Sequence, residues 1–145
     1  MVFLVAYVEG MLIHDLPRFH IQKSAPPELH LLKVTGMTTR NLGEYIAAHA
    51  PKCTDPVVAA YLLAGGRALV EITPQRNGML HARPAEDGDD PNHPLRLLRW
   101  RVEGARPEDA EVFMISHDWL DHLIERIDDI VGELSEIRPP FGSSN

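Results

Sequence analysis

The sequence has a single cysteine, Cys53, so no disulfide bond can form within the chain. It has no uninterrupted apolar run close to the ~20 residues that a membrane-spanning helix needs. The first ten residues, MVFLVAYVEG, have neither a basic segment ahead of an apolar stretch nor a cleavage site of small residues. These absences predict a cytoplasmic protein that does not act at a membrane.

Positive charge is scarce in the C-terminal part of the chain. Residues 1 to 84 carry eight Lys or Arg against six Asp or Glu, whereas residues 85 to 145 carry six against fifteen. An acidic field repels phosphate groups, because non-specific binding of nucleic acid depends on Lys and Arg. The charge pattern therefore excludes nucleic acid as a partner and favours another protein, one with a basic surface.

The clearest periodic pattern lies in residues 116 to 138, where apolar residues recur three and four positions apart. This spacing predicts a long amphipathic helix, which the two prolines at 139 and 140 would end. The apolar stripe is wide enough to lie on a sheet and to extend into a homodimer interface. The interface prediction names Trp119, Leu120, Leu123, Ile127 and Ile130.

The rest of the chain predicts strands at 2 to 8, 29 to 34, 67 to 73, 79 to 83, 95 to 103 and 111 to 115. Thr38 or Thr39 would start one short helix, and Asp55 a second that ends at Gly65 and Gly66. We therefore predict an α+β two-layer sandwich, with a largely antiparallel sheet of about five or six short strands under the long helix. The predicted domain covers residues 1 to 140, and residues 141 to 145 form a tail.

Two groups of charged residues are candidates for a site. Asp118, His122 and Glu125 share one helical face, yet they lack the spacing of a known metal motif and are typical of a solvated polar face. We expect no metal, no cofactor and no catalytic residues. The second group could bind an anion or an acidic segment of a partner, and it contains Arg96, Arg99 and Arg101.

Together these patterns predict a small acidic protein that acts by protein–protein interaction, as an adaptor, chaperone, immunity or phage assembly protein does, without catalysis of its own. The alternative is a small enzyme or ligand-binding domain whose dispersed site uses His, Asp or Glu side chains or the arginine group. A pocket that gathers titratable residues from several elements would favour the alternative.

Overall fold

The computed structural model describes residues 2 to 81, 83 and 84, 97 to 102, 110 to 115 and 117 to 141, and the side chains of residues 4 to 77 and 117 to 141. The α-helices in these residues are α1 (Val2–Ile21), α2 (Leu31–Val34), α3 (Thr39–His49), α4 (Pro56–His81) and α5 (His117–Ile137). A 3-10 helix at Ala50–Lys52 links α3 to α4. The strands are β1 (Arg83–Pro84), β2 (Leu97–Val102) and β3 (Ala110–Ile115).

The chain divides into two compact units. Unit 1 consists of Met1–Thr73 and Ile127–Asn145, and unit 2 consists of Pro74–Arg126. Unit 1 is helical, and its buried side chains come from all of its helices. Unit 2 contains the strands, which pair antiparallel in the order β1-β2-β3. That a single domain covers residues 1 to 140 stays a prediction.

The predicted α+β sandwich is wrong, because the described part of the chain is mainly helical and its sheet has three strands instead of five or six. The segments predicted as strands at 2 to 8, 67 to 73 and 79 to 81 lie in α1 and α4. The segment predicted as a strand at 29 to 34 contains α2, and the side chain of His30 caps that helix by accepting a hydrogen bond from the backbone of Leu32. The composition of residues 84 to 94 predicts a solvated loop, and all of these residues except Pro84 lie outside the described part of the chain.

Helix α1 begins in the segment at 2 to 8 that the sequence predicts as a strand. Its buried residues are related by spacings of three and four, which is the helical period: Val5, Val8, Met11, Leu12, Asp15, Leu16 and Phe19. Two features hide this period in the sequence, namely the unbroken apolar run at its start and the charged Asp15 on the buried face. Pro17 also lies inside the helix, so a proline is no reliable helix terminator here.

Helix α4 continues through the two glycines that were predicted to end it. A Cβ atom on Gly66 would lie 2.6 Å from the backbone oxygen of Gly43 in α3, and one on Gly65 would lie 2.4 Å from a methyl carbon of Leu12 in α1. The glycines therefore let α4 approach two neighbouring helices closely, which is a different role from the predicted C-cap. The pair Asn77 and Gly78 favours a tight hairpin turn between the strands predicted at 67 to 73 and 79 to 83, but that turn is wrong because both residues lie in α4.

The segment Pro56–Asn77 of α4 is long and apolar enough, by length and composition, to cross a membrane. It contains charged residues such as Arg67 and Glu71, so it is not an uninterrupted apolar run, and the expectation that the protein does not act at a membrane stays a prediction. Half of the stretch is buried inside the protein, as in the core helix of many globular proteins. The cytoplasmic location stays a prediction.

The helix predicted at 116 to 138 is confirmed as α5. Within one chain it buries Leu123, Ile127, Ile130 and Leu134, and all its Asp and Glu side chains are exposed. The helix predicted after Thr38 is also confirmed, because the Thr38 hydroxyl accepts a hydrogen bond from the backbone of Asn41 at the start of α3. Asp55 likewise caps α4, and its carboxylate accepts a hydrogen bond from the backbone of Val57 at 2.8 Å.

Candidate functional site

The strongest charged cluster in unit 1 is built around Asp15, whose side chain is fully buried. Arg138 follows α5 and binds this carboxylate with two nitrogens, Nε to Oδ2 at 2.8 Å and Nη2 to Oδ1 at 2.7 Å. The hydroxyl of Tyr61 in α4 donates to Oδ2 at 2.7 Å, and Arg18 Nε donates to Oδ1 at 3.2 Å. One buried carboxylate therefore joins α1, α4 and the C-terminal segment.

Arg18 extends this cluster to the segment after α5. Its Nη2 donates to the carbonyl oxygen of Pro139 at 2.7 Å, and its Nη1 donates to that of Pro140 at 3.1 Å. The ring of Phe141 lies 4.5 Å from the Arg18 guanidinium and 4.9 Å from that of Arg138. Both distances are within the range of a cation–π contact, so the end of the described chain is held against α1.

The environment shifts the pKa values in the directions that this network requires. Burial alone would raise the pKa of Asp15, but hydrogen bonds from Arg138, Tyr61 and Arg18 outweigh it and lower the pKa below its usual value. Burial, together with the hydrogen bond to Asp15, raises the pKa of the Tyr61 hydroxyl. Asp15 is therefore ionised and Tyr61 is neutral at neutral pH.

A shallow, open groove of about 450 Å³ lies next to this cluster. One stripe of α1 forms most of its lining, and the remainder comes from Arg138. Tyr7 and His14 are exposed, and Gly10 between them carries no side chain. The lining residues are Ala6, Tyr7, Gly10, Met11, His14 and Arg138.

A second surface lies where the end of α1, helix α2 and the start of α4 come together. The backbone N–H of Thr54 donates to the carbonyl oxygen of Ser24 at 3.0 Å, and the Thr54 hydroxyl donates to that of Lys23 at 3.1 Å. The rings of His20 and His30 have centroids 5.9 Å apart, which places the start of α2 beside the end of α1. We call this surface the lysine end, and it consists of Ile21, Lys23, Leu31, Leu32, Lys33, Lys52 and Val57.

Large apolar side chains are unusually exposed at the lysine end. Ile21 is 82% exposed, Leu32 is 84% exposed and Val57 is 53% exposed. The chain has three lysines, and all of them lie here. Lys52 forms an ion pair with Glu28 at 3.1 Å.

The structure separates the residues of the predicted interface into two groups. Leu123, Ile127 and Ile130 are buried within one chain, whereas Trp119 and Leu120 are partly exposed. A homodimer contact through α5 would therefore have to use Trp119 and Leu120, together with exposed neighbours such as Ile124. The homodimer stays a prediction.

The predicted arginine group remains untested. Arg96 lies outside the described residues, and Arg99 and Arg101 lie in β2 without described side chains. Their backbone partners in β3 are Phe113 and Glu111. Binding of an anion or a partner by these arginines stays a prediction.

No three His, Cys, Asp or Glu side chains in the described ranges 4 to 77 and 117 to 141 lie close enough together to hold a metal ion. In the group that was considered as a metal site, the ring nitrogen Nδ1 of His122 lies 2.6 Å from the carbonyl oxygen of Asp118. This hydrogen bond raises the pKa of His122, and the neighbouring carboxylates act in the same direction. That the protein binds no metal stays a prediction.

Sequence reasoning missed the Asp15 cluster, the groove and the lysine end. The pairing of Asp15 with Arg138 joins residues 123 positions apart, and no periodicity signals such a contact. The signal that was present is a charged residue on the apolar face of a helix, because an ionised side chain is rarely buried without a partner of opposite charge.

Comparison of the chain with protein-family models, with curated proteins and with solved structures finds no match. Its function is therefore inferred from its own residues.

Proposed function

We propose that the protein acts by binding another protein through the lysine end, and that it has no catalysis of its own. The observation that carries this proposal is the combination of Ile21 and Leu32, both more than 80% exposed, with every lysine of the chain. Exposed apolar residues on neighbouring segments that also carry charged residues are typical of interaction sites.

The charges at the lysine end indicate the chemistry of the partner. Lys23, Lys33 and Lys52 outnumber the two carboxylates in the same turns, Glu28 and Asp55, although the whole chain has a net charge of −7. Electrostatic complementarity favours a partner segment that carries acidic side chains beside apolar ones. The basic partner predicted from the acidic C-terminal part would need a different surface, and it stays a prediction.

The hydrogen bonds at the lysine end favour a preformed binding surface. Thr54 ties the turn before α4 to the turn after α1, and Asp55 caps α4 beside it. A surface that is already ordered loses little conformational entropy on binding, so a small contact can be sufficient. The polar contacts would come from the lysines and the apolar contacts from Ile21, Leu32 and Val57.

Selection from a displayed library of short random peptides on the purified protein tests this proposal. We expect enrichment of peptides that combine Asp or Glu with Leu, Ile or Phe. Leu32→Ser should weaken the binding of the enriched peptides at least about tenfold, which corresponds to a loss of about 1.4 kcal/mol. Ile137→Ser removes a partly exposed apolar residue elsewhere, and it should leave binding unchanged.

Charge reversal tests the electrostatic part separately. Lys33→Glu should weaken binding of the acidic peptides, whereas Arg67→Glu, at an exposed position of α4, should not. Enrichment of basic peptides, or equal effects of both variants, would contradict the proposal. Binding to vesicles of anionic phospholipid, without enrichment of any peptide, would also contradict it and would identify a lipid surface instead.

A further inference from the structure

The groove beside α1 carries an excess of positive charge. Asp15 is one carboxylate shared by two guanidinium groups, those of Arg18 and Arg138. Arg18 uses all three of its nitrogens, one for Asp15 and two for the backbone carbonyls of Pro139 and Pro140. The cluster therefore has a formal charge of +1, and carbonyl dipoles only partly offset it.

Arg138 retains hydrogen-bonding capacity at the groove. A guanidinium has five N–H donors, and in the described part of the chain those of Arg138 bond only to Asp15, through Nε and Nη2. Asp15 occupies one edge of the planar group, so the other edge can still bind an oxyanion with two parallel hydrogen bonds. Arg138 lines the groove and its side chain is 23% exposed.

The stripe of α1 that lines the groove is suited to a small ligand. Gly10 leaves the backbone accessible at the middle of the stripe, and a Cβ atom built there would meet no other atom within 4 Å. Met11 is nearly buried and provides an apolar floor, while Tyr7 and His14 provide polar groups one helical turn away on either side. A volume of about 450 Å³ lies within the range of small-molecule sites.

We propose that this groove binds a small ligand through a carboxylate or phosphate group, which the free edge of the Arg138 guanidinium would hold. Tyr7 and His14 bind the polar part of the ligand next to that group, and Met11 contacts its apolar part. This inference is independent of the lysine end, because the two surfaces share no residue.

Titration of the ¹⁵N-labelled protein with three salts, followed by NMR, tests the proposal. The probes are sodium acetate for a carboxylate, sodium phosphate for a phosphate, and sodium chloride as the control for ionic strength. We expect saturable shifts of the backbone amides of Gly10, Met11 and His14 with acetate or phosphate, and a Kd in the millimolar range. The chloride control should give smaller shifts that do not saturate.

Two glycine variants that should differ in their effect on anion binding locate the site. Gly10→Leu fills the groove without touching the ion pair, and it should weaken binding at least about tenfold, or about 1.4 kcal/mol. Gly132→Leu places the same side chain on the exposed face of α5, where nothing lies nearby, and it should leave binding unchanged. Arg138→Lys keeps the charge but loses the planar fork, so it should also weaken binding if it folds.

Three results would overturn the proposal. The first is a response to acetate and phosphate that equals the response to chloride. The second is saturable binding that Gly10→Leu does not change. The third is a set of shifted amides that excludes those of the groove. A response to only one of the two anions would support the proposal and would identify which oxyanion the groove prefers.

Discussion

Lys23 has a backbone conformation that is uncommon for a residue with a side chain, with φ at 57°. It follows α1, and the hydrogen bonds around it are those of a Schellman C-cap: Ser24 N–H to the oxygen of Phe19 at 2.8 Å, and Lys23 N–H to that of His20 at 3.0 Å. Glycine is the usual residue at this position because a Cβ atom is strained there. The side chain of Lys23 therefore lowers the stability of the fold, and the sequence pattern does not reveal this cost.

We predict that Lys23→Gly raises the free energy of unfolding by about 0.5–1 kcal/mol, because it removes this strain. Urea unfolding followed by circular dichroism measures the change. Gln22→Gly is the control, because Gln22 has no positive φ and glycine there should lower stability. A decrease for Lys23→Gly of the same size as for Gln22→Gly would show that the C-cap is not formed as described.

Asp15 should make stability depend on pH in a defined direction. Its pKa in the folded protein is below the usual value of 3.8, so the ionised form is the one that folding favours. The ionised Asp15 side chain makes its full contribution to the free energy of unfolding above about pH 4. This contribution is lost as the pH falls through the pKa of Asp15 in the folded protein. At neutral pH, Asp15→Asn should cost about 3–5 kcal/mol, because it leaves two arginines without their carboxylate.

The difference in unfolding free energy between the wild type and Asp15→Asn should shrink as the pH falls below about 4, because a protonated Asp15 resembles asparagine. Urea unfolding at a series of pH values measures it. Tyr61→Phe removes one hydrogen bond to the same carboxylate, and it provides a milder variant if Asp15→Asn does not fold. A difference that is constant with pH would show that Asp15 is not ionised in the folded protein.

Helices α3 and α4 cross at Gly43 and Gly66, where neither helix has room for a side chain. A Cβ atom on Gly66 would lie 2.6 Å from the oxygen of Gly43 and 2.8 Å from the nitrogen of Ala47. These are backbone atoms, which cannot move away as the end of a flexible side chain could. The two glycines thus determine how closely these helices pack.

Gly66→Ala should therefore destabilise unit 1 by about 1–3 kcal/mol, although alanine is the better helix former. Gly132→Ala makes the same change on the open face of α5, where a Cβ atom meets nothing within 4 Å, and it should stabilise the protein by about 0.5–1 kcal/mol. Thermal unfolding of both variants gives the comparison. Equal shifts in Tm would contradict the close crossing.

Sequence reasoning succeeds for helices with a visible period and a polar cap. Helix α5 has both an apolar stripe and a following pair of prolines, and α3 begins at Thr38 with a cap that the structure confirms. It fails for α1, whose start was predicted as a strand, and for the end of α4, which continues past the two glycines that were predicted to end it. The two glycines in α4 allow α1 and α3 to approach closely. A pattern in the local sequence carries no information on such contacts between helices.

At the scale of the whole molecule, the candidate sites depend on contacts between distant parts of the sequence. The groove needs Arg138 beside α1, and the lysine end needs the turns after α1 and before α4 to be joined. Neither arrangement follows from composition or spacing. The exposed acidic face of α5, by contrast, was predictable, because its carboxylates lie outside the apolar stripe.

The contact between Asp15 and Arg138 holds the end of α5 against α1 and places Arg138 at the groove, so both arrangements depend on its strength. A double-mutant cycle with Asp15→Asn, Arg138→Gln and the double variant, measured by urea unfolding at pH 7, tests it most directly. We predict a coupling energy of about 2–3 kcal/mol. A coupling within about 0.5 kcal/mol of zero, as for residues that do not touch, would show that this ion pair does not hold the end of α5 against α1.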